Sequence, residues 1–391
     1  MSGPAAYLDH AAASPLDPRV RAAMLPFLGE EFGSASSLHD RGRAPAAALE
    51  DAREQVAALV GADPDQVIFT SGATEARNLA VKGLLAANAA LGRGIVASAV
   101  EHPATLHACR SAARGGASLA LVPVDAVGRI APGAVRDAVG DDTAVVCVVH
   151  GQPDIGTLQD VPALVAAARE GRPEARVVVD AGDTAGLVPL DVAALGADAV
   201  VLGGGPIGGP PWTGALVVRP GARLHPLVEG GLQEGGKRAG AEDVPGIAAL
   251  GAAAAIAREE GATAAARATA LGKRLARGLL AVPDVRLNGD PDPAGRIPGL
   301  VQVSAGWVEG ETLCLALAAR GVACSPGSAC TAEAGKAAPT LEAIGLEAPW
   351  THSAVLFTLR GTTTEAEVDH AVAAFADAVA QLRAMSPLTP P

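Results

Sequence analysis

Two periodicities alternate along the first two thirds of the chain. Residues 44–62, "APAAALEDAREQVAALVGA", place apolar side chains at helical spacing and stop on Gly61. Residues 66–72, "QVIFTSG", read as a short strand ending in glycine, and "ATEARNLAVKGLLAANAALG" reads as the next helix. The strand "GIVASAVEH" (94–102) leads into the helix "PATLHACRSAARGG". The runs "LALVPVD", "TAVVCVVHG", "ARVVVDAG", "ADAVVLGG" and "GALVVRPG" are short, β-branched and apolar at successive positions. Such strands are buried on both faces, which predicts an α/β fold: a mainly parallel central sheet flanked by helices, joined by right-handed crossovers. After "AEDVPGIAALGAAAAIAREEG" (241–261) the pattern changes. A long helical stretch (244–281) precedes "VRLNGDP", "GLVQVSAG", a helix "GETLCLALAARG", a loop, a strand "HSAVLFTLRG" and a last helix "TEAEVDHAVAAFADAVAQLRAM". This predicts a smaller α+β C-terminal domain, with the boundary inside a helix. The expected division is an N-terminal segment 1–15 packing with the small domain, a large domain 16–255, a small domain 256–385, and a disordered tail 386–391.

Composition narrows the class. The 391 residues are 49% hydrophobic but only 2% aromatic, so the core is aliphatic. The net charge is −12 and no basic run occurs, which argues against binding of nucleic acid. No uninterrupted apolar run reaches the ~18 residues of a membrane span, and the N-terminus has no basic region ahead of an apolar one. A cytoplasmic protein is expected. The five cysteines form no CxxC pair, so neither a metal site nor a disulfide framework is expected, and Cys109, Cys147 and Cys314 read as small core residues.

Chemistry is expected where strands end and helices begin. "SGATEARN" puts Gly72, Ala73 and Thr74 at a helix N-terminus, suited to a phosphate or simply to a threonine N-cap. His102, just past a strand, could stack on a ring. Asp180 ends an apolar strand and needs a partner, because burying a lone carboxylate is costly; a protonated pyridine nitrogen would serve. Cys330 sits in "GVACSPGSACTAEAG", a loop of small residues.

Taken in order, "YLDHAAASP", "FGSASSLHDRGR", "TSGATEARNLAVKG", "EHPATLHACR", "VDAGDTAGLVPLDV", "GGLQEGGKRAG", "VEGETLCLALAARGVACSPGSACT" and "TTTEAEVDHAV" resemble the cysteine desulfurases, class V aminotransferases that depend on pyridoxal phosphate (PLP). The resemblance implies the PLP-transferase fold type I. It also implies a homodimer with active sites at the interface, and a catalytic cysteine at Cys330 that takes sulfur from L-cysteine as a persulfide. By the same resemblance Ala73, Thr74, His102, Asp180 and Asp183 fall in the PLP site.

The resemblance breaks at the lysine. Pro206, in "GGGPIGGPPW", falls where the family's Schiff-base lysine belongs, and proline carries no primary amine. The neighbouring serine and histidine align with Gly203 and Gly205. An amide near the PLP hydroxyl aligns with Pro153, a glutamine with Asp183, a phosphate threonine with Ala241, and the substrate arginine with Leu356. Arg360 lies four residues on, about 13 Å along a strand. Losing three phosphate hydrogen bonds at about 1.5–3 kcal/mol each lowers affinity by a few orders of magnitude. The remaining lysines are Lys82, Lys237, Lys273 and Lys336, of which Lys237 lies on the segment that in the family reaches the partner's site. The expected function is that of a degenerate, PLP-independent homologue with a binding, regulatory or scaffold role. It would form a homodimer or pair with an active paralogue. The alternatives are a persulfide relay from Cys330 to a sulfur-acceptor protein, and an active PLP enzyme using another amine.

Overall fold

The computed structural model describes residues 6–326 and 338–385. The strands are β1 (Ala6–Tyr7), β2 (Val67–Thr70), β3 (Gly94–Ser98), β4 (Ser118–Val122), β5 (Thr143–Val149), β6 (Arg176–Asp180), β7 (Ala199–Gly203), β8 (Gly214–Val218), β9 (Val285–Leu287), β10 (Leu300–Ala305), β11 (Val322–Ala323), β12 (Ser325–Pro326) and β13 (Ala354–Thr358). The α-helices are α1 (Pro18–Met24), α2 (Arg43–Val60), α3 (Ala73–Asn78), α4 (Leu84–Ala87), α5 (Pro103–Arg114), α6 (Pro132–Ala138), α7 (Val161–Gly171), α8 (Val192–Leu195), α9 (Val244–Leu280), α10 (Gly310–Ala318), α11 (Pro339–Ala343) and α12 (Glu365–Met385).

A seven-stranded sheet in the order β2-β8-β7-β6-β5-β3-β4 forms the centre. Only β8 runs against its neighbours, β2 and β7; the other pairs are parallel. Every residue of β2, β3, β5, β7 and β8 is buried, as expected of strands covered on both faces. One apolar cluster, with Val56, Val148, Val179, Val200 and Leu250, fills one side of the sheet. Another, with Leu79, Leu84, Ile95, Cys147 and Val201, fills the other. Strand β4 departs from the both-faces-buried reading of "LALVPVD". It lies at the edge of the sheet opposite β2, and only Val122 of its residues is buried. The helix expected after residue 72 is one helical run, but it carries a π turn over Leu79–Gly83 between α3 and α4.

The C-terminal part builds a second, antiparallel sheet, β12-β13-β10-β9. Its core gathers Leu275, Val303, Leu313, Phe357 and Phe375. Ala6 and Leu8 join that core, and β1 pairs with β11 in parallel. Helix α9 is continuous through residue 255. Its N-cap Asp243 accepts from the Gly246 N–H, satisfying one of the free amides at the helix start. Leu250 packs into the first core and Leu271, Leu275 and Leu279 into the second. No helix among the described residues is long and apolar enough to cross a membrane.

Candidate functional site

The carboxyl ends of β2, β3, β5, β6 and β7 converge, and the candidate residues sit there. Gly72 precedes α3 with φ at +126°, a conformation open to glycine. Thr74 is exposed, and its carbonyl accepts from the Asn78 amide. His102 caps α5: its Nδ1 accepts from the Ala104 N–H at 3.0 Å. Burial, and then the charge of Arg77, push the imidazole below its usual range.

Asp180 is 2% exposed at the end of β6, as the apolar run predicts, but its partner lies within the chain. Oδ2 accepts from Arg77 Nε at 2.7 Å and Thr105 Oγ1 at 2.8 Å, and Oδ1 accepts from the Gly182 N–H at 3.1 Å. Burial pushes this carboxyl up, and the Arg77 guanidinium outweighs burial, holding it below the ordinary carboxylate range. Arg77, 3% exposed, also pairs with Asp183. Burial disfavours the arginine's charge, and the two carboxylates more than offset this, raising its pKa.

Arg77 was not among the residues singled out in the sequence. Its signal was position: it stands on the face of "ATEARNLAV" shared by Ala73, Ala80 and Val81, a face that packs inward. Glycine makes room for it. A Cβ on Gly182 would lie 2.6 Å from an Arg77 terminal nitrogen, and one on Gly203 would lie 2.3 Å from the Gly182 carbonyl oxygen.

A second buried acid escaped the sequence reading. Glu101 Oε1 accepts from Ser98 Oγ at 2.6 Å and the Val149 N–H at 2.7 Å, and Oε2 has no partner among the described residues. Burial pushes its carboxyl up to about 8. His150, bonded to Thr184 Oγ1 at 2.8 Å, is lowered to about 4 by burial. Gln152 turns inward and holds the backbone N–H groups of Asp154 and Ile155, which leaves Pro153 at the rim of the cleft.

Pro206 lies in a 3-10 turn, Gly205–Ile207, directly after β7. The sequence reading carried a strand through Arg360. In the structure β13 ends at Thr358, the Arg360 N–H bonds Thr363 Oγ1, and the side chain turns back. The guanidinium donates to the Gly205 carbonyl at 3.1 Å and to the Pro206 carbonyl. Burial lowers Arg360 to about 10. Leu356 packs with Ile297 and Leu300. His10, Pro153, Asp183, Pro206 and Arg360 line a cleft of about 70 Å³, well short of the ~300–1,000 Å³ of ordinary ligand clefts.

A groove of about 900 Å³ lies elsewhere. It runs between Leu49 and Arg53 of α2 and the segment carrying Leu232, Glu234 and Lys237. Glu234 has φ at +49°, and its carboxylate holds Arg53 at 2.9 Å and the Phe69 N–H at 2.9 Å. Lys237 is half-buried at this groove, Ala241 is exposed, and Cys330 and Lys336 lie outside the described residues. No cluster of three or more metal-ligating side chains occurs among the described residues.

The profile of the family described as "Aminotransferase class-V" matches residues 6–370. The chain belongs to this family. It is 36% identical to cysteine desulfurase IscS of Methanosarcina thermophila over 386 residues, 99% of this chain and 95% of that protein. It is 40% identical to cysteine desulfurase IscS of Anaeromyxobacter sp. (strain Fw109-5) over 387 residues, 98% and 94% of the two chains. A solved structure named "NIFS-like protein" superposes with a TM-score of 0.90 at 29% identity, covering 96% of this chain and 100% of that one. These likenesses bear out the desulfurase resemblance and the α/β fold with its mostly parallel central sheet.

The family depends on PLP, and the residues here do not fit it in the family's manner. Pro206, in the turn after β7, carries no primary amine, and the Asp180 carboxylate already holds Arg77 and Thr105.

Proposed function

We propose that this class V aminotransferase homologue acts by binding rather than by turnover, with the cofactor's place filled by its own arginine. The observation that carries the reading is the buried Arg77–Asp180 pair. A ligand that took Arg77's place on Asp180 would have to expel a guanidinium whose other carboxylate, Asp183, holds it in place. Breaking a buried ion pair by removing one partner costs about 3–5 kcal/mol, a deficit that a cofactor without its covalent anchor would have to recover. The Pro206 backbone supports the same reading, since its carbonyl accepts from Arg360, leaving that arginine engaged with the chain itself. The protein then serves as a desulfurase-fold subunit that pairs with a second copy or with an active paralogue.

The test is a visible absorption spectrum of the purified protein with added PLP, before and after borohydride, followed by intact mass. No Schiff-base band and no adduct are expected. A band with a mass gain of one reduced PLP would overturn the reading, and peptide mapping would then examine Lys237 first. Sulfur transfer that survives in wild type but vanishes in Cys330→Ser would instead show a relay through Cys330.

A further inference from the structure

Four of the five cysteines lie within the described residues, and they form two close pairs. Cys109 and Cys147 are 4.0 Å apart, Sγ to Sγ, but both are buried, between α5 and β5 in the apolar layer against the sheet. Cys314 and Cys324 are closer, at 3.8 Å, and both are only half-buried. Cys314 is on α10, between exposed Leu315 and buried Leu313. Cys324 links β11 to β12.

We propose that Cys314 and Cys324 form a reversible disulfide, made by exchange with a low-molecular-weight disulfide of the glutathione type. The Sγ atoms need to approach by less than ~2 Å to reach bonding distance. The first pair has a similar separation but no route for an oxidant, so exposure rather than distance selects the second pair.

The chemistry follows thiol–disulfide exchange. The Cys324 thiol loses its proton to solvent, and its thiolate attacks one sulfur of the small disulfide. The old S–S bond breaks, a mixed disulfide forms on Cys324, and one small thiolate leaves and takes up a proton. Cys314 then loses its proton, attacks the Cys324 sulfur and expels the second small thiolate, which is protonated in turn. Two protein thiols are oxidised, and one small disulfide is reduced to two thiols. The contact with Cys324 and burial push the Cys314 thiol up, and the acids Asp9 and Glu309 add to this, so Cys314 acts second. The bridge ties α10 to the strand segment β11–β12, which is anchored at both ends: β11 pairs with β1, and Ser325 Oγ donates to Asp9.

The test uses the full chain with glutathione disulfide as the probe. Free thiols are blocked under native conditions, and the protein is digested with trypsin without reduction. Arg320 lies between the two cysteines, so the bridge joins two separate peptides. A linked pair lacking two hydrogens and separating on reduction is expected, while Cys109 and Cys147 accept alkylation only after denaturation. In Cys314→Ser the reaction is expected to stop at a glutathione adduct on Cys324. Alkylation of both Cys314 and Cys324 with no link would overturn the proposal. So would an adduct that persists on Cys324 while Cys314 is present, or a Cys324–Cys330 bridge in its place. Fragmentation of the linked peptides, which places the bridge on Cys324 or on Cys330 of the same tryptic peptide, decides the matter in wild type even if the variant fails to fold. A Cys314–Cys330 link would overturn the proposal, and no outcome depends on whether PLP binds.

Discussion

At the scale of single residues, charge balance explains more of the site than the strand pattern does. Asp180 was legible as a buried acid that needs a partner; the identity of the partner was not. An arginine within a short helical segment reads as solvated until the sheet is assembled against it, and only then do Asp180 and Asp183 bring it within hydrogen-bond reach. Glu101 was hidden for the converse reason. It stands directly before His102 at a strand end, where a sequence shows no burial. Its carboxyl titrates near 8 in the folded chain, against an ordinary 4.5. Between those values the unfolded chain releases a proton that the folded chain keeps. Stability is therefore expected to fall as pH rises through that window, by about 1.4 kcal/mol per unit from this group, and to level above it. Urea unfolding of wild type and Glu101→Gln over a pH series checks this. The variant should lose that slope, and parallel curves would refute a neutral carboxyl.

At the scale of elements, the turn after β7 decides what the site accepts. Strand positions were readable because apolar, β-branched runs stand out, whereas their order in the sheet was not. The turn was not readable, since its shape depends on contacts from distant parts of the chain. Gly203 abuts the Gly182 carbonyl, a Cβ on Gly204 would meet Thr213 Oγ1 at 2.2 Å, and Arg360 grips the carbonyls of Gly205 and Pro206. Arg360 itself was misplaced along a strand because the end of β13 is set by the turn to Thr363. An amine placed at 206 alone should therefore fail. Pro206→Lys is expected to show no Schiff-base band at position 206, because Asp180 remains engaged. Pro206→Lys with Arg77→Ala is expected to gain a borohydride-reducible adduct that maps to that lysine. An adduct of equal yield at position 206 in the single variant would contradict the blocking role of Arg77.

At the scale of the whole molecule, Leu232 at the rim of the groove beside α2 is 88% exposed, and Leu25, Leu28, Phe32, Leu38 and Val228 are exposed as well. The family resemblance implies a homodimer, and Leu232, offered to solvent at the groove rim, is the residue expected to meet the second copy. Light scattering should give twice the chain mass for wild type and the single chain mass for Leu232→Glu; a monomeric wild type would exclude a self-paired face. Helix α9 has a different consequence. Its 37 residues extend about 55 Å, and the stretch around Arg258–Glu260 is exposed between the two cores. A protease needs several residues of unwound backbone at its cleft, and unwinding that spreads along this helix toward Leu250 and Leu271 pulls on both cores. The solvent-facing arginines of that bridge are therefore poor cleavage sites despite their exposure, and the two halves are lost together rather than shed one at a time.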